Sequence, residues 1–244
     1  MSDDLVNGDL VIGSIELPGG RGTATTMTPR DGARARVILL PGIHGRGPHL
    51  DWVCRRLGER GFESVVGDFF CEASRRGEVT TPADVAAAVV ALDDAAIAET
   101  VAELAETLSA DRRVAVLGYC IGATLGLLAT EKSDAITATV AYYGVLRHRG
   151  PLATKGPDPL DSLGTTTTPV LAHYGTADVW ATGEDVDDLE AKLMSTGGPH
   201  GLYRYPGAGH AFEEPGSRGF RPVAAAEAAA RTITFLDYYL RCAG

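Results

Sequence analysis

The sequence predicts an α/β protein, a mostly parallel sheet with helices on both faces. Three observations lead there. Short apolar runs such as Arg36-Val37-Ile38-Leu39-Leu40 and Val114-Ala115-Val116-Leu117 have the length of buried strands. Longer segments with helical spacing of apolar residues lie between them, and strands alternating with helices form parallel neighbours. Several runs end in loops that carry a polar residue, where open α/β sheets build their sites. At 244 residues, 45% of them hydrophobic, the chain is ordinary for one α/β domain and can bury a substantial core. Residues 1–244 read as a single domain without repeat, low-complexity tract or linker.

The elements follow in order. Residues 9–28 read as a β-hairpin turning at Pro18-Gly19-Gly20-Arg21-Gly22. Strand 36–40 runs into the loop Pro41-Gly42-Ile43-His44-Gly45-Arg46-Gly47. A helix over 49–60 follows, because Leu50, Val53 and Leu57 share one face. Strand 63–67 ends at Asp68-Phe69-Phe70, and residues 72–82, rich in Ser, Arg, Glu and Thr, read as an exposed connection. Residues 83–108 read as one long helix with Pro82 near its first turn. Strand 114–117, a helix opening at Cys120 and strand 137–143 come next. A Gly/Pro/Thr-rich loop over 150–168 leads to strand 170–174, a helix near 184–196, strand 202–205 and a final helix over 222–240.

Bulk properties exclude several classes of function. A net charge of −10 argues against a nucleic-acid surface. The N-terminus has no basic start followed by an apolar stretch, so no secretory signal is expected. No membrane span is expected either, because Asp84, Asp93, Asp94, Glu99, Glu103 and Glu106 interrupt the Ala-rich segment. Cys54, Cys71, Cys120 and Cys242 lack paired or metal-type spacing, which fits free thiols in a reducing compartment and predicts a cytoplasmic protein. No metal is expected, since the histidines show no ligand spacing. No nucleotide cofactor is expected, since loop 42–47 lacks the lysine and spacing of a P-loop.

The chemistry is carried by three segments. Cys120 sits in Gly118-Tyr119-Cys120-Ile121-Gly122 directly after strand 114–117, the strand–turn–helix context of the α/β-hydrolase nucleophile, with a thiol for a hydroxyl. Gly175-Thr176-Ala177-Asp178 and Gly207-Ala208-Gly209-His210 each follow a strand. The order nucleophile, acid, histidine is that of the α/β-hydrolase fold. Cys120 at a helix N-terminus beside His210 suits a thiolate–imidazolium pair, with Asp178 accepting the other imidazole N–H. The backbone N–H groups of Ile43 and Ile121 are placed to hold an oxyanion. His44 follows Ile43 and either meets substrate, as a ligand or second proton donor, or bonds to its own loop. Tyr143 and Trp180 are candidates to line the pocket or to pack. Asp185, Asp187 and Asp188 read as solvated, and Arg46, His49 and Arg147 as weaker candidates.

The chain resembles the dienelactone hydrolase family of α/β-hydrolases. The likeness is carried by Gly118-Tyr119-Cys120-Ile121-Gly122-Ala123, Ala141-Tyr142-Tyr143-Gly144-Val145, Gly175-Thr176-Ala177-Asp178 and Gly207-Ala208-Gly209-His210-Ala211-Phe212, and extends from the hairpin to the last helix. It implies a Cys–His–Asp hydrolase of a small ester or lactone, monomeric and without cofactor. Two departures bear on substrate. Dienelactone-cleaving members carry a glutamate just before the oxyanion-hole residue, which helps keep the thiol ready; this chain has Gly42. They also hold a substrate carboxylate with an arginine shortly after the catalytic histidine, where this chain has Glu213-Glu214-Pro215, a stretch expected to repel one. Two other outcomes stay open: a related acyl transfer, cyclisation or C–C cleavage in a biosynthetic pathway, or a non-catalytic ligand-binding protein on this fold.

Overall fold

The computed structural model describes residues 10–67, 79 and 81–241. Its eight strands are β1 (Leu10–Glu16), β2 (Thr23–Pro29), β3 (Ala35–Leu40), β4 (Phe62–Gly67), β5 (Val114–Tyr119), β6 (Ile136–Tyr142), β7 (Val170–Gly175) and β8 (Gly201–Tyr205). They form one sheet in the order β1-β2-β4-β3-β5-β6-β7-β8. The hairpin strands pair antiparallel, and β2 joins β4 antiparallel; every later pairing is parallel. The expected class, an α/β-hydrolase fold with a mostly parallel sheet, is what the chain adopts.

Six helices cover the sheet: α1 (Pro48–Gly58), α2 (Pro82–Val90), α3 (Asp94–Leu108), α4 (Ile121–Thr130), α5 (Gly183–Ser195) and α6 (Pro222–Tyr239). Alternation along the strands explains the two layers. Val37, Leu39, Ala115 and Leu117 pack with Val53 and Leu57 of α1 and Leu236 of α6. Ile38, Leu40, Val114 and Val116 point the other way, onto Val101 and Leu104 of α3 and Leu125 of α4. Val170, Ala172 and Tyr174 of β7 close against α5 through Val186 and Leu189.

The long helix expected over 83–108 is two helices. The first begins at a capping box in which Thr81 and Asp84 exchange hydrogen bonds. It ends before Asp93, whose carboxylate accepts the Ala96 N–H at 3.0 Å and caps a fresh start. The released Leu92 carbonyl accepts instead from the buried Lys155 ammonium at 2.6 Å. Loop 150–168 is not featureless either, containing short 3₁₀ turns at Gly150–Leu152 and Pro159–Ser162. The expected strand end at 68–70, most of the connection at 72–82, Cys71 and Cys242 lie outside the described residues; Cys54 and Cys120 are free thiols.

Candidate active site

The turn from β5 into α4 forces Cys120 to φ 53° and ψ −125°, a conformation that L side chains rarely adopt. Its N–H donates to the Tyr142 carbonyl at 3.0 Å, fixing the turn to β6. The turn closes only because Gly122 has no side chain: a Cβ there would lie 2.3 Å from the Leu40 carbonyl oxygen. Three non-glycine residues have positive φ among the described residues, Cys120, Tyr143 and Ala211, and all three line one cavity. Such backbone costs about 1–3 kcal/mol per residue and concentrates at functional sites.

Asp178 and His210 come from two loops zipped together by backbone. The Thr176 N–H donates to the Tyr205 carbonyl at 3.0 Å and the Ala177 N–H to the Ala208 carbonyl at 2.9 Å. That approach needs Gly175, whose Cβ would meet the Ala208 oxygen at 2.2 Å. His210 Nδ1 donates to Asp178 Oδ2 at 2.9 Å, and Asp178 Oδ1 accepts the Trp180 N–H at 2.8 Å. The Asp178 side chain is fully shielded from solvent. Burial alone would push His210 down, but the facing Cys120 sulfur and then Asp178 outweigh it and carry the imidazolium up to about 10.

Cys120, His210, Ile43, His44, Tyr143 and Trp180 all line a cavity of about 800 Å³. Asp178 stands behind His210, and Ile121 sends its side chain into the core. As the first residue of α4, Ile121 has no intrahelical acceptor for its N–H. His44 is exposed. Tyr143 is buried edge-on to the His210 ring at 5.0 Å, and Trp180 lies 6.4 Å from that ring.

Several readings need correcting. His49, a weaker candidate from the sequence, is enclosed and its Nε2 stands 2.6 Å from Glu213 Oε2, off the line of the ring N–H. The His49 ring meets Tyr119 edge-on at 5.3 Å and lines the same cavity as Cys120 and His210. Burial pushes the Glu213 carboxylate up, and His49 pulls it back. Glu213 therefore faces His49 rather than substrate. Glu214 does line the cavity, together with Arg218, so that wall holds one charge of each sign and the expected repulsion of a carboxylate is met only in part. Asp185 is not solvated: it caps α5 through Thr182 and takes Arg147 at 3.2 Å and Arg149 at 2.9 Å. Arg147 is thus a structural clamp, and Arg46 pairs with Asp51 at 2.6 Å. His49 stands beside Pro48 in the first turn of α1, and its contact with Glu213, far along the chain, left no local signal in the sequence.

Against known proteins, the model of the dienelactone hydrolase family matches residues 23–240. The chain belongs to that family. A Rhodococcus opacus carboxymethylenebutenolidase is 32% identical over 217 residues, covering 86% of this chain and 83% of the relative. A Bradyrhizobium protein named "Probable 2-oxo-3-(5-oxofuran-2-ylidene)propanoate lactonase" is 30% identical over 210 residues, 84% of each chain. Among solved structures, a Klebsiella pneumoniae protein assigned as a dienelactone hydrolase superposes with a TM-score of 0.81 at 22% identity, over 94% of this chain and 99% of the other. That likeness fixes the fold. Among the described residues no group of three His, Cys, Asp or Glu side chains could hold a metal ion, and no helix is long and apolar enough to cross a membrane.

Proposed function

We propose that this member of the dienelactone hydrolase family cleaves a small ester or lactone through Cys120, His210 and Asp178, by way of a thioester acyl-enzyme. One observation carries the reading. A thiol on a positive-φ elbow faces an imidazole held at 2.9 Å by a buried carboxylate, all at one cavity. The relatives' names, a lactonase and a carboxymethylenebutenolidase, support the substrate class.

Cys120 attacks the carbonyl carbon as a thiolate while His210 is an imidazolium. The carbonyl electron pair moves onto oxygen, and the N–H groups of Ile43 and Ile121 receive the oxyanion; one such donor is worth about 3 kcal/mol. The C–O bond breaks as the intermediate collapses, and His210 gives its proton to the leaving oxygen. His210, now neutral, takes a proton from water, whose oxygen attacks the thioester. Collapse releases the acid and restores the thiolate and imidazolium. Asp178 keeps the imidazole in the tautomer these transfers require. Ester and water become acid and alcohol, or one hydroxy acid from a lactone, without a cofactor. His44, Tyr143 and Trp180 contact the substrate from the cavity wall.

The test is acid-quenched mass spectrometry after mixing with 4-nitrophenyl acetate. An acetyl group should appear on Cys120, and Cys120→Ala should lose the adduct and at least about a thousandfold in kcat. Turnover at the wild-type rate by Cys120→Ala refutes the reading.

A further inference from the structure

The catalytic cavity has two chemically unlike walls. Val85 and Val89 stand four residues apart on α2, so they share one helix face. They pack in one cluster with Val145, Leu152, Trp180 and Ile43, and all six line the cavity. The rest of the lining includes His44, His49, Glu214, Ser217 and Arg218. A substrate that fills both halves is itself two-sided.

Lys155 ties the apolar wall together. Its side chain is buried, with Nζ 2.6 Å from the Leu92 carbonyl oxygen and 2.9 Å from Asp94 Oδ1. Its backbone N–H donates to the Leu152 carbonyl at 2.9 Å. One residue therefore holds the end of the helix bearing Val85 and Val89 and the turn bearing Leu152. A buried ammonium is costly unless paired, so the position is held firmly once Asp94 and the carbonyl are engaged.

We infer that Val85, Val89, Val145, Leu152 and Trp180 form a subsite for an unbranched alkyl group of the ester, and that Lys155 is the positioning residue that sets its depth. The inference rests on Cys120 being the nucleophile of this cavity. Each methylene that enters the subsite should raise kcat/KM by about fourfold, the equivalent of about 0.8 kcal/mol, until the wall is filled. Branched acids of equal carbon number should gain less, because the side groups meet the helix face.

The experiment is a series of 4-nitrophenyl esters from acetate to octanoate. Wild type should climb by that factor to an optimum length. Val85→Phe should move the optimum to shorter chains, Leu152→Ala to longer ones, and Lys155→Met should flatten the length profile because the two halves of the wall separate. For a variant that does not fold, inhibition of wild-type acetate hydrolysis by n-alkyl trifluoromethyl ketones of rising length supplies the same increments. A flat wild-type profile, or an unmoved optimum in folded Val85→Phe, overturns the subsite. Cys120→Ala on acetate separates the two failures: a flat profile with that variant inactive removes the subsite alone, whereas an active variant removes the nucleophile and the subsite with it.

Discussion

Replacing Gly122 by alanine should separate two parts of the proposed reaction that are otherwise hard to tell apart. The added methyl would lie 2.3 Å from the Leu40 carbonyl oxygen and 2.4 Å from that of Pro41. Carbon and oxygen in close contact stand about 3.3 Å apart, so the overlap is about 1 Å. Both obstacles are backbone, and neither can rotate away. The start of α4 must therefore part from the end of β3. Ile121 rides on the first of these and Ile43 lies just beyond the second. Their N–H groups move apart, and a hydrogen bond stretched by about 1 Å is no longer one.

Loss of one oxyanion donor lowers kcat by about 10²–10³. Overpacking the turn should cost about 1–3 kcal/mol of stability, which lowers Tm by roughly 2–12 °C in a chain of this size. The assay pairs ester hydrolysis with alkylation of Cys120 by iodoacetamide. Alkylation uses the same sulfur but creates no oxyanion, so it should stay within about tenfold of wild type while hydrolysis falls by the full factor. Hydrolysis within about threefold of wild type would show that the backbone donors do not act as described. A parallel fall in both reactions would place the damage at the thiol, and the reasoning about the donors would fail.

Two further outcomes follow from the buried charges. His210 rises from 6.5 to about 10 in the folded protein, so its protonation stabilises the fold fully below about pH 6.5 and progressively less as pH climbs through 10. Thermal melts of wild type and His210→Gln should converge between pH 7 and 10; a constant gap across that window contradicts the assignment. His49→Leu leaves the buried Glu213 carboxyl group without its polar neighbour and should cost about 1–3 kcal/mol, most of which His49→Leu with Glu213→Leu should restore. Urea melts measure both, and a double variant no more stable than the single one refutes the pairing.

What was legible in the sequence was local. Each parallel strand could be read because its residues are apolar on both faces, and Cys120, Asp178 and His210 could be singled out as candidates because each follows a strand end. The break between α2 and α3 was hidden by alanine-rich composition, which suits a helix throughout. Asp93 caps the second helix, and the Lys155 ammonium on the Leu92 carbonyl is a tertiary contact across a long stretch of chain. The same limit applied to His49 and Glu213: His49 read as a weak candidate and Glu213 as facing substrate, and only the fold brings the two together beside Tyr119. Asp185 was misread because a capping side chain and a solvated one look alike until burial is known.

Gly42 shows where local reading and geometry meet. A Cβ at that position would stand 3.4 Å from the Cys120 Cβ, ordinary contact, so the backbone there tolerates a β-carbon. With glycine at this position the Cys120 sulfur faces His210 and the α4 N-terminus, and a protonated imidazole and a helix N-terminus both favour negative charge on it. The buried acid near the site is Glu213, which is occupied by His49. In the proposed reaction, activation of the thiol falls to His210, with the Asp178 carboxylate behind it supporting the charge separation.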